Sequence, residues 1–371
     1  MKLVVITHTP HFKKDGKLFA YGPYVREMNL WFKQADAVVV VAPLNNDGPG
    51  TIHEAYTSQD VALHDIPSIS FISFSEGLLA LLRLPVIKWK IFQAMRKADH
   101  IHLRCPGTIG LVGCMMQPLF PKRPKSAKYA GNWDPRARQP LSYRIQKWIL
   151  QHTFLTRNMK VLVYGDWPGQ TSNVKPFFTA SYPEQKIESL RTPHFKPPYR
   201  LLFVGGLTHG KRPLYAVKLV EALIASGVDC RLDIYGGGAE RNSIIDYISS
   251  HQLTAVIFLH GNQPPTVVEN AYKQSDLLLL PSRSEGWPKV VAEAMFWGVV
   301  PVVSRVSCVP WMLGEGRRGL LLEMQPESDI QRLRTLLSDP EALQEMSLKA
   351  QAWSHQYTLD AFEAELKKIV G

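Results

Sequence analysis

The chain has 371 residues, 45% of them apolar and 20% charged, ordinary values for a globular protein and long enough for two domains rather than one. No run of eighteen apolar residues occurs, and there is no low-complexity tract or internal repeat, so a membrane-spanning helix and a solenoid are not expected. The net charge of +11 is uneven: residues 1–198 hold 26 Lys and Arg against 13 Asp and Glu, whereas residues 199–371 hold 17 against 19.

The opening MKLVVITHTP has too short an apolar run for a signal peptide and reads as a first strand at residues 2–7. A polar and basic loop is expected at 8–17. Gly22 then opens a helical pattern that runs to Phe32, and residues 35–42 (ADAVVVVA) have the uninterrupted apolar character of a strand buried on both faces. Residues 43–68 are poorly patterned, and 68–73 suggest a weak strand. In residues 76–97, EGLLALLRLPVIKWKIFQAMRK, Pro85 is expected to divide two helices. Their apolar and aromatic residues alternate with Arg83, Lys88, Lys90, Arg96 and Lys97. Two readings stand: a helix pair resting on anionic lipid, or a core-packing helix with a basic outer face.

A strand at 99–104 follows, then a helix from Pro106-Gly107 to Met116 and a basic loop at 121–128. Residues 128–130 lead into Gly131-Asn132-Trp133-Asp134-Pro135. Polar clusters after strands gather ligand contacts in alternating β/α chains, and Asn or Asp before Pro is also plain turn chemistry. A helix at 141–155 and strands at 160–164 and 177–180 complete this half. The stretch 182–199 contains Pro183, Pro193, Pro197 and Pro198 and is the best candidate for a domain boundary.

A fresh β/α series then begins. A strand at 201–204 ends in Gly205-Gly206-Leu207-Thr208-His209-Gly210-Lys211-Arg212, before a helix from Pro213. Glycines with two cations at this position suit a phosphate contact. A strand at 230–235 closes on Gly236-Gly237-Gly238 and leads to a helix, and one at 256–259 ends at His260-Gly261. After a helix at 267–273 comes LLLLPSRSEGWPKVVAEAMFWGVVP, residues 277–301. It reads as a buried strand, a polar turn and a helix with Pro288 in its first position, where the missing N–H costs nothing. The free N–H groups of the helix start form an anion site, and Gly286 allows close approach to the backbone. Glu285 lies at the mouth of that site and Glu293 inside the helix. A strand–turn–helix with two solvated glutamates is the alternative. Strands at 300–304 and 320–323 and helices near 340–355 and 359–370 close the chain.

Cys105, Cys114, Cys230 and Cys308 are far apart, in apolar contexts and without Cys-x-x-Cys, as in reduced core cysteines of a cytosolic protein. The basic first half implies an anionic surface or substrate. No zinc-finger or RRM signature and no basic helix with aromatic platforms accompanies it. An anionic membrane face or a lipid-phosphate acceptor fits better than nucleic acid.

The second half resembles the retaining glycosyltransferases of family four, which have the GT-B fold. The resemblance rests on Phe203-Val204-Gly205-Gly206-Leu207 with Lys211, Tyr235-Gly236-Gly237-Gly238, Phe258-Leu259-His260-Gly261, and the Glu-x7-Glu run from Glu285 to Glu293 with Gly298 and Pro301. It covers about 150 residues. It implies an α/β chain of two Rossmann-like doubly wound domains facing across a cleft: an acceptor-side domain at 1–195, a nucleotide-sugar donor domain at 196–355, and a last helix at 356–371 that commonly crosses back. It further implies that Glu285 meets the transferred sugar, Glu293 the ribose, and the backbone at Pro288, Lys289 and Val290 the diphosphate. Lys211 would neutralise the leaving group, and the base would sit near His260. Gly22, Gly206, Arg212, Gly236, Gly237, Gly286 and Trp287 complete the expected donor contacts.

Two positions depart from the family pattern. Gly206 stands where an arginine is frequent, with Arg212 or His209 as substitutes. Gly131-Asn132-Trp133-Asp134 stands where many members have a histidine, so Asn132 or Asp134 would take its catalytic place. The expected donor is a UDP- or GDP-sugar, with no other cofactor. No Asp-x-Asp occurs, and no metal is expected to be required. The expected acceptor is a glycan or a lipid-linked molecule, as in surface-polysaccharide assembly, with the protein cytoplasmic or peripheral on the inner membrane face. Rival readings are a nucleotide-sugar epimerase or hydrolase on the same fold, and a non-catalytic sugar-nucleotide-binding protein.

Overall fold

The structure, a computed structural model, describes residues 1–58, 60–69, 74–187 and 195–371, with only the backbone described for 74–79. The chain opens with β1 (Lys2–Ile6), β2 (His11–Lys14), β3 (Lys17–Tyr21), α1 (Gly22–Phe32), β4 (Ala37–Ala42), β5 (Leu44–Asn45), β6 (His53–Ala55) and β7 (Val61–Asp65). It continues with α2 (Phe74–Arg96), β8 (His100–Cys105), α3 (Thr108–Met116), β9 (Lys125–Tyr129), α4 (Leu141–Gln151), β10 (Met159–Tyr164) and β11 (Val174–Phe177). Seven of these strands form one parallel sheet in the order β11-β10-β9-β8-β1-β4-β7. The valines of β4 and the apolar run of β1 pair residue for residue, Val4 with Val39 and Val5 with Val40, and are buried. Continuous apolar strands are what a parallel sheet covered on both faces requires.

Sequence patterning misses several features here. The expected loop at 8–17 is a hairpin: β2 and β3 pair antiparallel around Asp15-Gly16, both with positive φ (50° and 73°). Asp-Gly is a favoured pair for that two-residue turn. The unpatterned stretch 43–68 supplies β5 and β6, which join β2 and β3 in a four-stranded sheet, and β7, the edge of the main sheet. The weak strand expected at 68–73 lies largely outside the described residues. Pro85 does not divide two helices, because α2 runs through it. Its missing N–H frees the carbonyl four residues back, at Leu81, which is 60% exposed and open to water. The expected basic loop at 121–128 is half strand, with Lys125 and Lys128 buried in β9.

The remaining elements are β12 (Tyr199–Val204), α5 (Pro213–Ala225), β13 (Cys230–Tyr235), α6 (Arg241–Ser250), β14 (Ile257–Gly261), α7 (Pro265–Gln274), β15 (Leu277–Leu280) and α8 (Lys289–Phe296). After them come β16 (Val300–Ser304), α9 (Val309–Met312), β17 (Leu320–Leu322), α10 (Pro326–Leu337), α11 (Pro340–Ser354) and α12 (Leu359–Val370). The strands form a six-stranded parallel sheet in the order β14-β13-β12-β15-β16-β17. Helix α10 has no counterpart in the sequence reading. Its apolar residues are few, and its buried Asp329 accepts from the Glu323 and Met324 N–H groups just after β17.

The chain forms two units: residues 1–178 with Phe362–Gly371, and Thr179–Ala361. The division falls before the proline-rich stretch, because residues 179–187 are bound into the second unit, Ser181 to α8 and Lys186 to Glu269 of α7. Phe362 of α12 is buried in the first unit against Phe177 and Phe178. Among the described residues, no helix is long and apolar enough to cross a membrane.

Candidate active site

The second sheet reverses its winding between β12 and β15, with β13 and β14 beyond one and β16 and β17 beyond the other. In open α/β sheets the loops at such a reversal line a crevice at the strand carboxyl ends. Here they are residues 205–212 and 281–288. A backbone hydrogen bond from the Arg283 N–H to the Gly210 carbonyl, 2.8 Å, ties them together. Across that tie the Lys211 Nζ donates to Glu285 Oε1 at 2.5 Å; Glu285 is buried and Lys211 partly exposed.

The glycines of the neighbouring loops serve close backbone approach. Gly205 N–H donates to the Tyr235 carbonyl, Leu207 N–H to that of Gly237 and Gly236 N–H to that of Gly261, at 2.8–3.0 Å. Gly236 has a φ of 136°, and a Cβ there would lie 2.0 Å from the Gly205 carbonyl oxygen, so only glycine fits. Gly206 differs: an added Cβ would meet nothing nearer than 3.7 Å. His260 stacks on Tyr235, ring centroids 4.4 Å apart and planes 14° apart, and its Nε2 lies 2.7 Å from Asp233 Oδ1. The result is a ring platform with a fixed orientation.

Pro288 is the cap residue of α8, one position before the first helical residue expected for it. Among the described residues no side chain caps this helix, and its first turn holds no acidic residue. Its Lys289 and Val290 start therefore keeps the partial positive charge that favours an anion. Gly286 is fixed through its carbonyl, which accepts from Cys308 Sγ at 3.1 Å. Burial pushes the Cys308 thiol up to about 12, keeping it a neutral donor. Trp287 is buried among Trp311, Trp353 and Tyr357. Glu293 accepts from Ser181 Oγ at 2.5 Å and from the Tyr272 hydroxyl at 3.1 Å. A carboxylate has about four lone-pair sites, so two remain for further hydroxyls.

The two residues offered in place of the family arginine lean elsewhere. His209 Nδ1 lies 3.6 Å from Glu240. Arg212 takes a left-handed conformation as the cap of α5, where its carbonyl accepts from the Tyr215 N–H at 3.0 Å. Arg283, which sequence reasoning did not single out, is exposed and makes no side-chain hydrogen bond or ion pair among the described residues. Its signal was its position two residues before Glu285.

In the first unit, the sheet reverses between β1 and β8. His8 follows β1 there, and a Cβ on Gly107 after β8 would lie 2.4 Å from the His8 ring. Desolvation and then the Arg104 charge lower the His8 pKa. In the sequence His8 falls in an expected loop, although a histidine directly after a first strand is a signal. Asn132 and Asp134 follow β9 and perform turn chemistry: Asn132 Oδ1 accepts from the Asp134 N–H, and Asp134 Oδ1 from the Arg136 N–H, at 2.9 and 2.8 Å. Gly22 is the first residue of α1, its N–H donating to the Ile52 carbonyl.

Residues 185–353 match the family model described as Glycosyl transferases group 1. The putative colanic acid biosynthesis glycosyltransferase WcaL of Salmonella typhimurium is 27% identical over 246 residues, 63% of this chain and 59% of that protein. The D-inositol 3-phosphate glycosyltransferase of Corynebacterium glutamicum is 29% identical over 174 residues, 45% of this chain and 42% of that protein. The matched regions thus span about half the length of these relatives. Anabaena HepE, solved in complex with UDP, aligns with a TM-score of 0.71 at 13% identity, covering 99% of each chain. The structural neighbours are GT-B glycosyltransferases, and the two Rossmann-like halves with parallel sheets give this chain that fold class. Together these findings support a group 1 glycosyltransferase.

Proposed function

We propose that this protein is a retaining, family-four glycosyltransferase that moves a hexose from a nucleotide sugar, a UDP- or GDP-sugar, to a hydroxyl of a glycan or lipid-linked acceptor in surface-polysaccharide or glycoconjugate biosynthesis. The observation that carries the reading is the Lys211–Glu285 pair beside the uncapped start of α8, at the winding reversal of the second sheet. The second unit takes the donor and the first the acceptor. The protein is cytoplasmic, peripheral on the inner face of the membrane, with an anionic lipid surface as a further partner of the basic first unit.

Transfer requires a diphosphate to leave while an oxocarbenium-like centre develops. Cations and preorganised N–H groups stabilise that charge where it forms. Lys211, the backbone N–H groups of Lys289 and Val290 at the start of α8, and the exposed Arg283 supply it, with no metal required. Glu285 turns from Lys211 to a hydroxyl of the sugar, Glu293 takes the ribose with its remaining lone pairs, and the Tyr235–His260 platform with Gly236 and Gly237 borders the base. In a retaining reaction the leaving phosphate itself accepts the acceptor proton, so no protein base is required. Asn132, Asp134 and His8 are the acceptor-side candidates.

Glu285→Gln and Lys211→Ala are each expected to abolish transfer while circular dichroism and the melting temperature stay near wild type; near-normal turnover by either variant would sink the assignment. A thermal-shift series with UDP, GDP, ADP and CDP identifies the base. The turn bonding of Asn132 and Asp134 and the glycine at 206 favour a second reading, a non-catalytic sugar-nucleotide binder. Nucleotide binding without sugar release or transfer over a wide acceptor panel would select it.

A further inference from the structure

We infer that the outer face of α2, α3 and α4 is a plate that docks on an anionic lipid bilayer. This gives the anionic-surface partner a place in the fold, and it does not depend on the chemistry of the second unit. Thirteen large hydrophobic side chains are strongly exposed among the described residues, and nine of them lie between Leu81 and Phe154. On α2 they are Leu81, Leu82, Val86 and Trp89, the last three on one helical face at i, i+4 and i+7. Met115 and Leu119 follow at the end of α3 and in the turn after it, then Leu141 and Trp148 on α4 and Phe154 just beyond. Trp89 and Trp148 are each 61% exposed.

These residues lie on neighbouring helices. Helix α3 packs against α2 on one side and α4 on the other, and α2 and α3 lie against β1 on one side of the sheet. Phe92 of α2 meets Phe120 of the turn after α3, ring centroids 5.4 Å apart, while Trp89 stacks beside Phe92. Large exposed apolar side chains gathered on adjacent helices in this way point to an interaction site.

The charge around it selects the occupant. Residues 81–157 hold 15 Lys and Arg against two acidic residues, Asp99 and Asp134. Arg104, Lys125 and Lys128 are buried, and Arg83 and Lys90 bond back to the Ser68 and Asp65 carbonyls. Lys88 and Arg96 of α2, Lys97 just after it, and Arg144 and Arg157 of α4 and its end remain exposed. Tryptophans that bury a ring and keep an N–H near water, set among cations, suit the headgroup boundary of an anionic membrane. A second copy would bring two cationic plates face to face, which like-charge repulsion opposes. Exposed lysines are also depleted in protein interfaces.

Flotation of the full-length protein with phosphatidylcholine vesicles, and with vesicles containing roughly 30% phosphatidylglycerol, tests this at about 0.1 M salt. The protein is expected to float with the anionic vesicles only. Trp89→Ala with Trp148→Ala, and separately Lys88→Glu with Arg144→Glu, are each expected to lower the bound fraction at least about tenfold. Only exposed side chains change, and circular dichroism checks the fold. The inference is overturned by absence of binding to both vesicles, by binding that neither pair reduces, or by a wild-type dimer in sedimentation that the tryptophan pair dissociates. UDP thermal shifts in the same preparations report on the donor reading separately, since nucleotide binding and vesicle binding fail independently.

Discussion

Lys211 and Glu285 are 74 residues apart in sequence and 2.5 Å apart in space, and a backbone tie between Arg283 and Gly210 makes that distance. Each residue is legible alone, in a motif with its own spacing, while their contact is not. Arg283 is not legible, since its relation to the 205–212 loop exists only once the two strand ends are neighbours. On the proposed function, Arg283 is the candidate to stand in for the cation that Gly206 lacks. Arg283→Ala is expected to lower kcat about 100-fold with KM little changed, the signature of a charge contact used in the transition state. A Cβ at Gly206 meets nothing nearer than 3.7 Å, so Gly206→Arg in that background is expected to recover part of the rate. Steady-state kinetics on the single and double variants decide it: an unchanged kcat in Arg283→Ala removes this residue from the mechanism.

At the level of elements, the long parallel strands and their helices were legible, because each carries an apolar run or a helical period. The short strands β5, β6 and β7 were not, since they have too few residues for a period to register and depend on sheet neighbours distant in sequence. The Asp15-Gly16 turn was a local signal passed over. Lys128 misled for a different reason: a lysine in a strand reads as exposed, yet here it is fully buried. Glu27 of α1 joins it at 2.8 Å and also pairs with Arg104 of β8, so one carboxylate serves two buried cations. The Phe178 carbonyl and the faces of Tyr164, Phe177 and Phe362 take up the rest of the Lys128 charge. Removing the shared anion takes from both buried cations the carboxylate that pairs with them. Glu27→Gln is therefore expected to cost about 3–5 kcal/mol in the first unit, and Lys128→Met, which keeps the Glu27–Arg104 pair, clearly less. Urea denaturation with hydrogen exchange at β8 and β9 measures both; equal losses would show that the triad is not the unit of stability.

Over the whole molecule, histidines with depressed pKa values concentrate in the first unit. Burial holds His11 and His100 at about 4 and His102 well below its ordinary value. His100 and His102 share the Ser126 hydroxyl, each at 2.8 Å, and among the described residues their other ring nitrogens have no partner. Protonation would add a buried N–H with no acceptor, which is costly. The sign follows from linkage: with folded values below the unfolded 6.5, the unfolded chain takes up protons first. Stability is undiminished above about pH 6.5 and falls as pH drops toward 4. A depression to about 4 corresponds to a loss on the order of 3 kcal/mol for each of His11 and His100. Two or three such residues rival the whole stability of an ordinary domain, about 5–15 kcal/mol. Hydrogen exchange between pH 7.5 and 5, corrected for intrinsic rates, is therefore expected to show β1 and β8 losing protection while β12 and β15 keep theirs. His100→Gln, which cannot titrate, should lessen the loss in the first unit, while His11 and His102 keep the rest. Protection that falls uniformly through both sheets, or a slope unchanged in that variant, would mean that the acid sensitivity lies in other groups.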